Sequence, residues 1–113
     1  MRAYELMIIF DGDVEDTAVN AILANVNKLV EAGGGTVAKT DRWGRRRFAY
    51  EINHKWEGIY VVLEISTEGR DLHEVERVLH LADEVVRHKV IRLPEKEAAR
   101  RGLLGDTTPA TAG

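Results

Sequence analysis

The densest run of chemically capable side chains is Arg42-Trp43-Gly44-Arg45-Arg46-Arg47, and a second basic group, Arg87, Lys89 and Arg92, lies near the end of the chain. Planar guanidiniums present paired donors that match phosphate oxygens, and an indole among them can stack on a base or a ribose. The chemistry these residues point to is phosphate contact, with Arg42, Trp43, Arg45, Arg46, Arg47, Arg87, Lys89 and Arg92 as the candidates for touching RNA. The competing reading is a solvated, charged bend whose arginines pair with Asp41 and Glu51. His88 sits between Arg87 and Lys89 with the parity of a core position and reads as a packed histidine.

Catalytic chemistry has little to build on. The chain has no cysteine, which removes thiolate nucleophiles, disulfides and cysteine-ligated metals. Ser66 is its one serine, placed at a strand end outside the Gly-x-Ser-x-Gly context that exposes a nucleophile. His73 and His80 share a helix, but no third ligand follows at a recognisable spacing. Gly33-Gly34-Gly35 follows a helix instead of preceding one, so it reads as a helix cap and not as a phosphate loop. Glu5 and Glu64 become neighbours if their strands pair, yet nothing encloses them for acid–base work. These residues predict no enzyme, no metal and no cofactor.

The charge distribution refines the partner class. The net charge is −3, but it is laid out in blocks. Residues 1–35 carry two basic and six acidic side chains, and residues 59–84 carry two and seven. Residues 36–58 and 85–113 each carry six basic and three acidic ones. If the two basic blocks meet in space, one face suits phosphates despite the acidic total. With 113 residues, 44% of them apolar, the chain is long enough for one cored domain and short for two. Its longest apolar run, Leu6 to Phe10, is too short to span a bilayer, and the acidic residues from Glu5 onward are foreign to a signal peptide. A soluble cytoplasmic protein is expected.

Hydrophobic periodicity then places these groups. Residues 2–10 form a strand with Tyr4, Leu6, Ile8 and Phe10 on one face and Ala3, Glu5, Met7 and Ile9 on the other. Asp13 is the expected N-cap of a helix carrying Ala18, Ala21, Ile22, Val26, Leu29 and Val30. A second strand runs from Thr36 to Ile52, with a bulge at Gly44, and Asn53 to Gly58 is the expected turn. Ile59 to Ser66 alternates cleanly, Asp71 and Glu74 make an acidic capping box, and Leu72, Val75, Val78, Leu79 and Ala82 mark a second helix. Val85 to Leu93 is the last strand, stopped by Pro94. The order βαββαβ is the split βαβ arrangement: an α+β fold with a four-stranded antiparallel sheet and two helices on one face. Residues 1–93 form this domain. Residues 94–113, charged and then rich in Gly, Thr and Ala, are expected to be a mobile extension with little to bury.

With helices on one side, the other sheet face must meet solvent or a partner. Strand parity puts Glu5, Met7, Ile9, Tyr60, Val62, Glu64, Arg87, Lys89 and Ile91 there. Met7, Ile9, Val62 and Ile91 are costly to leave wet, and Tyr60 adds an amphipathic ring, so a protein partner is expected. The third strand lacks the Gly-aromatic run with which RRM modules stack bases on a sheet of this order.

At this point the residues resemble a known family. Met1-Arg2-Ala3-Tyr4-Glu5, Trp43-Gly44-Arg45-Arg46-Arg47-Phe48-Ala49-Tyr50, Glu57-Gly58-Ile59-Tyr60, Leu79-His80-Leu81 and Val86-Arg87-His88-Lys89-Val90-Ile91-Arg92 together look like bacterial small-subunit ribosomal protein S6. The resemblance implies a ferredoxin-like fold, no catalysis, and binding to the central domain of 16S rRNA as a heterodimer with ribosomal protein S18 during subunit assembly. By position, Arg45, Arg46 and Tyr50 match the family's central motif, Arg2 and Tyr4 its start, and Arg87 and Arg92 its last strand. His80 stands where the family often has arginine. The partner-facing set expected from parity and resemblance together is Arg2, Met7, Ile9, Tyr50, Tyr60, Val62 and Ile91. The alternative is a ferredoxin-like homodimer that binds a ligand or serves as a regulatory module.

Overall fold

The computed structural model describes residues 2–52, 54–68 and 72–103. Strand β1 (Arg2–Asp11) is followed by helix α1 (Asp16–Ala32), strands β2 (Thr36–Ile52) and β3 (Lys55–Thr67), helix α2 (Leu72–Leu81), strand β4 (Val85–Arg92) and a short helix α3 (Glu95–Arg100). The four strands form one antiparallel sheet in the order β2-β3-β1-β4.

The central strands are the apolar ones, and the alternation of their side chains makes the core. Tyr4, Leu6, Ile8 and Phe10 of β1 and Val61, Leu63 and Ile65 of β3 turn to the helix-covered face and are all buried. Against them α1 packs Val19, Val26 and Val30, and α2 packs Leu72, Val75 and Leu79. Each such aliphatic side chain contributes about 1.5–3 kcal/mol on full burial. On α1 the stripe is centred on Val19 instead of Ala18, and Ala21 is exposed. The larger β-branched side chain takes the sheet-facing position because it removes more apolar area from water.

Two local expectations are corrected. Asp13 does not cap α1: its N–H bonds the Asp11 carboxylate at 3.0 Å, the turn closes between the Val14 N–H and the Asp11 carbonyl, and Glu15 occupies the cap without a side-chain bond. Those two aspartates shape the strand-to-helix turn and leave the helix to start later. The turn expected over Asn53 to Gly58 is also much shorter. β3 begins at Lys55, opposite Ile52, and His54 turns the chain with φ +64°. Gly58 lies inside the ladder, where a glycine is needed for close approach: a Cβ there would come within 2.6 Å of Ile9 and 2.8 Å of Phe48. The Asp71 half of the expected capping box lies outside the described residues.

The triple glycine ends α1 as expected. Gly34 takes φ +91°, its N–H bonds the Glu31 carbonyl and the Gly35 N–H bonds the Val30 carbonyl, the two bonds of a Schellman motif. Gly44 takes φ +83° at a register shift between β2 and β3, which is the expected bulge.

The segment after Pro94 has more to bury than its composition suggested. Ala98 and Leu103 join Ala3 and Leu93 in a second small apolar cluster, and the Ser66 hydroxyl donates to the Leu103 carbonyl at 2.7 Å. Ala3 and Ser66 belong to the face opposite the helices α1 and α2, so the chain's own C-terminal segment covers that end of it.

Candidate functional site

The strand order decides where the charges go. β1 and β3 are central; β2 and β4, the strands that carry the two basic groups, are the edges. Charged side chains on edge strands also protect the unpaired backbone from adding a foreign strand. The register then sets rows across the uncovered face: Lys89 opposite Met7 opposite Val62, and Arg87 opposite Ile9 opposite Tyr60 opposite Gly44. The basic blocks therefore frame an apolar and aromatic strip.

Beyond Gly58, β2 and β3 outrun β1 as a two-stranded ribbon. Phe48 of this ribbon is buried and meets Tyr60 edge-on, with ring centroids 6.2 Å apart. Trp43 stacks on the same Tyr60 from the other direction. A groove of about 520 Å³ results, lined by Met7, Ile9, Phe48 and Tyr60 on its apolar side and by Arg47, Arg87 and Lys89 on its basic side. Tyr50, 64% exposed, stands on its rim. At the ribbon's tip Lys55 pairs with Asp11 at 2.8 Å, which ties the ribbon to the end of β1. The hydrogen bond from Lys55 holds the Asp11 carboxyl below its ordinary pKa and raises that of Lys55.

The candidate cations divide into groups. Arg47, Arg87 and Lys89 converge on the groove, and Arg46 joins Trp43 and Tyr60 around a neighbouring depression. Arg42 instead donates to the Asn20 side chain on α1, and Arg45 donates to the Gly12 carbonyl and lies 4.0 Å from Glu57. Trp43, and not an arginine, donates to Asp41 at 3.2 Å, and Glu51 lies 3.9 Å from His54, so among the described residues the arginine pairs that the charged-bend reading expected do not form. Arg92 and Arg2 line a separate hollow with Pro94 and Ala98, away from the groove. Among the expected partner-facing residues, Met7 and Tyr60 are partly open and Ile91 is exposed. Ile9 and Val62, expected to be exposed, are only 5% and 8% accessible. Ile9 lies with Phe48 and Tyr60 in the groove lining, and Val62 sits between Met7 and Asp41 of the flanking strands. Tyr4 is in the core, as its parity required.

Sequence reasoning passed over Trp56 and Arg101. The Arg47 guanidinium lies over the Trp56 ring, 5.7 Å from its centroid, on the exposed ribbon. Arg101 reaches onto the sheet face and ion-pairs with Glu64 at 3.1 Å and Glu5 at 3.6 Å. Glu5 and Glu64 are indeed direct cross-strand neighbours. Trp56 falls in the segment 53–58 read as a turn, which concealed its place in β3, and for Arg101 no local pattern pointed to it. Among the described residues, no three His, Asp or Glu side chains gather as a metal-binding group.

Fold and face together define a class: a ferredoxin-like α+β domain with an aromatic and cationic groove on the sheet face opposite its helices. The family model for ribosomal protein S6 matches residues 3–92. The small ribosomal subunit protein bS6 of Streptomyces griseus is 46% identical over 92 residues, 81% of this chain and 96% of that one. That of Desulforamulus reducens is 44% identical over 92 residues, again 81% of this chain and 97% of its own. The crystal structure of 30S ribosomal protein S6 from Thermotoga maritima superposes with a TM-score of 0.79 at 31% identity, covering 89% of this chain and 95% of that one. The chain belongs to the ribosomal protein S6 family. As a member it is a protein of the small ribosomal subunit, RNA-binding and engaged in translation on the cytoplasmic ribosome.

Proposed function

We propose that this protein binds the central domain of 16S rRNA jointly with ribosomal protein S18, as a heterodimer that enters the small subunit during assembly, and that its role is structural and not catalytic. The observation that carries this reading is the groove itself, where Met7, Ile9, Phe48 and Tyr60 lie beside Arg47, Arg87 and Lys89. An apolar strip framed by cations suits a protein segment that in turn sits against phosphate. The net charge of −3 supports joint binding. Few phosphates can be neutralised by this chain alone against its overall repulsion, and a basic partner completes the site.

The test mixes the purified protein with a central-domain rRNA fragment, with and without S18, at two salt concentrations. Tight, salt-sensitive binding in the ternary mixture alone is the expected result. A homodimer that forms no ternary complex at either salt would favour the ligand-binding module instead.

A further inference from the structure

The uncovered sheet face is not left bare at its Ala3 and Ser66 end. Helix α3 and Leu103 lie on it, and Arg101 extends the cover toward the groove by ion-pairing with Glu64 and Glu5. We infer that residues 94–103 form a self-docked strap which occupies the Glu5–Glu64 end of this face in the free protein and which a basic partner must displace to seat fully.

Three observations carry this. The carboxylates of Glu5 and Glu64 face each other across β1 and β3, an arrangement that is unfavourable unless a cation sits between them. Arg101 supplies that cation, and Glu97 steers it from one turn away at 2.7 Å. A cationic partner approaching along Met7 and Val62 meets Arg101 as a like charge. Without the strap it meets two free carboxylates. The partner's own arginine or lysine can replace Arg101 with no loss of charge balance.

The strap is also built to be released. Six helical residues are too few to hold a helix by themselves, so α3 depends on the small Ala3, Leu93, Ala98 and Leu103 cluster and on these ion pairs. The family model stops at residue 92, so the strap lies outside the domain that the model describes. This inference rests on the proposed partner reading and adds a competitor for the same face.

The experiment titrates purified S18 into the full-length protein and into its Arg101→Gln and Glu97→Gln variants. Hydrogen exchange of the Ala98 and Leu103 amides, which bond the Pro94 and Ala98 carbonyls, is followed in parallel. Arg101→Gln is expected to bind about three- to tenfold more tightly, as removal of a competing closed state requires. Glu97→Gln, which leaves the sheet face untouched, gains less. Saturation of the wild type with S18 strips the Leu103 amide of its protection. Equal or weaker binding by Arg101→Gln, with Leu103 still protected in the complex, overturns the strap while leaving the partner reading intact. Absence of binding by every form overturns both.

Discussion

Trp43 and Tyr60 lie parallel, their ring planes 3° apart and their centroids separated by 6.0 Å, across the bulge that Gly44 makes in β2. The bulge inserts the extra residue that re-aims Trp43 over the neighbouring strand. Its cost falls on Gly44, whose φ of +83° suits a residue without a Cβ. No atom would obstruct an added methyl there, so Gly44→Ala tests the backbone term alone. We expect a loss of about 1 kcal/mol in urea unfolding, together with a change in indole fluorescence as the stack shifts. Unchanged stability and fluorescence would show that the bulge does not depend on glycine.

Gly58 makes the complementary prediction, because there the backbone is unstrained and space is short. An added Cβ meets Ile9, Phe48 and, at 2.9 Å, the Phe10 carbonyl, which cannot rotate away. Gly58→Ala should cost about 1–3 kcal/mol by chemical denaturation. It should also lift Phe48 from the face and open the groove. A fully stable variant would mean that β1 and the ribbon can part without penalty.

Arg87→Ala with Lys89→Ala removes two exposed edge-strand cations that face the groove. Their loss should leave thermal stability nearly unchanged and weaken the ternary RNA complex. Each lost phosphate contact should also flatten the log–log salt dependence by about 0.7–0.9. Arg45→Ala is expected to act differently, since its guanidinium already serves the Gly12 carbonyl within this chain. If Arg45→Ala alone flattens the slope, the assignment of these cations is reversed.

The strap has an acid limit with a defined sign. Hydrogen bonds from Arg100 and Arg101 hold the Glu97 carboxyl below its ordinary pKa of 4.5, and the bond to Glu97 raises the pKa of Arg101. A carboxyl lowered in the folded state contributes stability above its unfolded pKa and loses it as the pH falls through the folded one. Protection of the Leu103 amide should therefore stay level from neutrality down to the ordinary glutamate range and fall only below it. In Glu97→Gln this acid step should shrink. Loss of protection near neutrality would contradict the role of Glu97.

The features legible in the residues alone follow from short-range periodicity and stereochemistry. Alternation in β1 and β3 was enough to sort Tyr4, Leu6, Ile8, Val61 and Leu63 inward, and the glycines at 34 and 44 marked a helix end and a bulge because few other residues tolerate their φ. The element order implied the split βαβ sheet; that the two basic strands lie on its opposite edges came from the observed strand order. The tertiary structure decided the rest. How wet Ile9 and Val62 are depends on neighbours from other strands, such as Phe48 beside Ile9 in the groove. The partner of Arg45 depends on where the turn at Gly12 comes to rest. The covering of Glu5 and Glu64 depends on Arg101, far away in the sequence. Periodicity reports which face a side chain shares with its near neighbours. Contacts between distant segments follow from register and curvature, and no short stretch of residues encodes them.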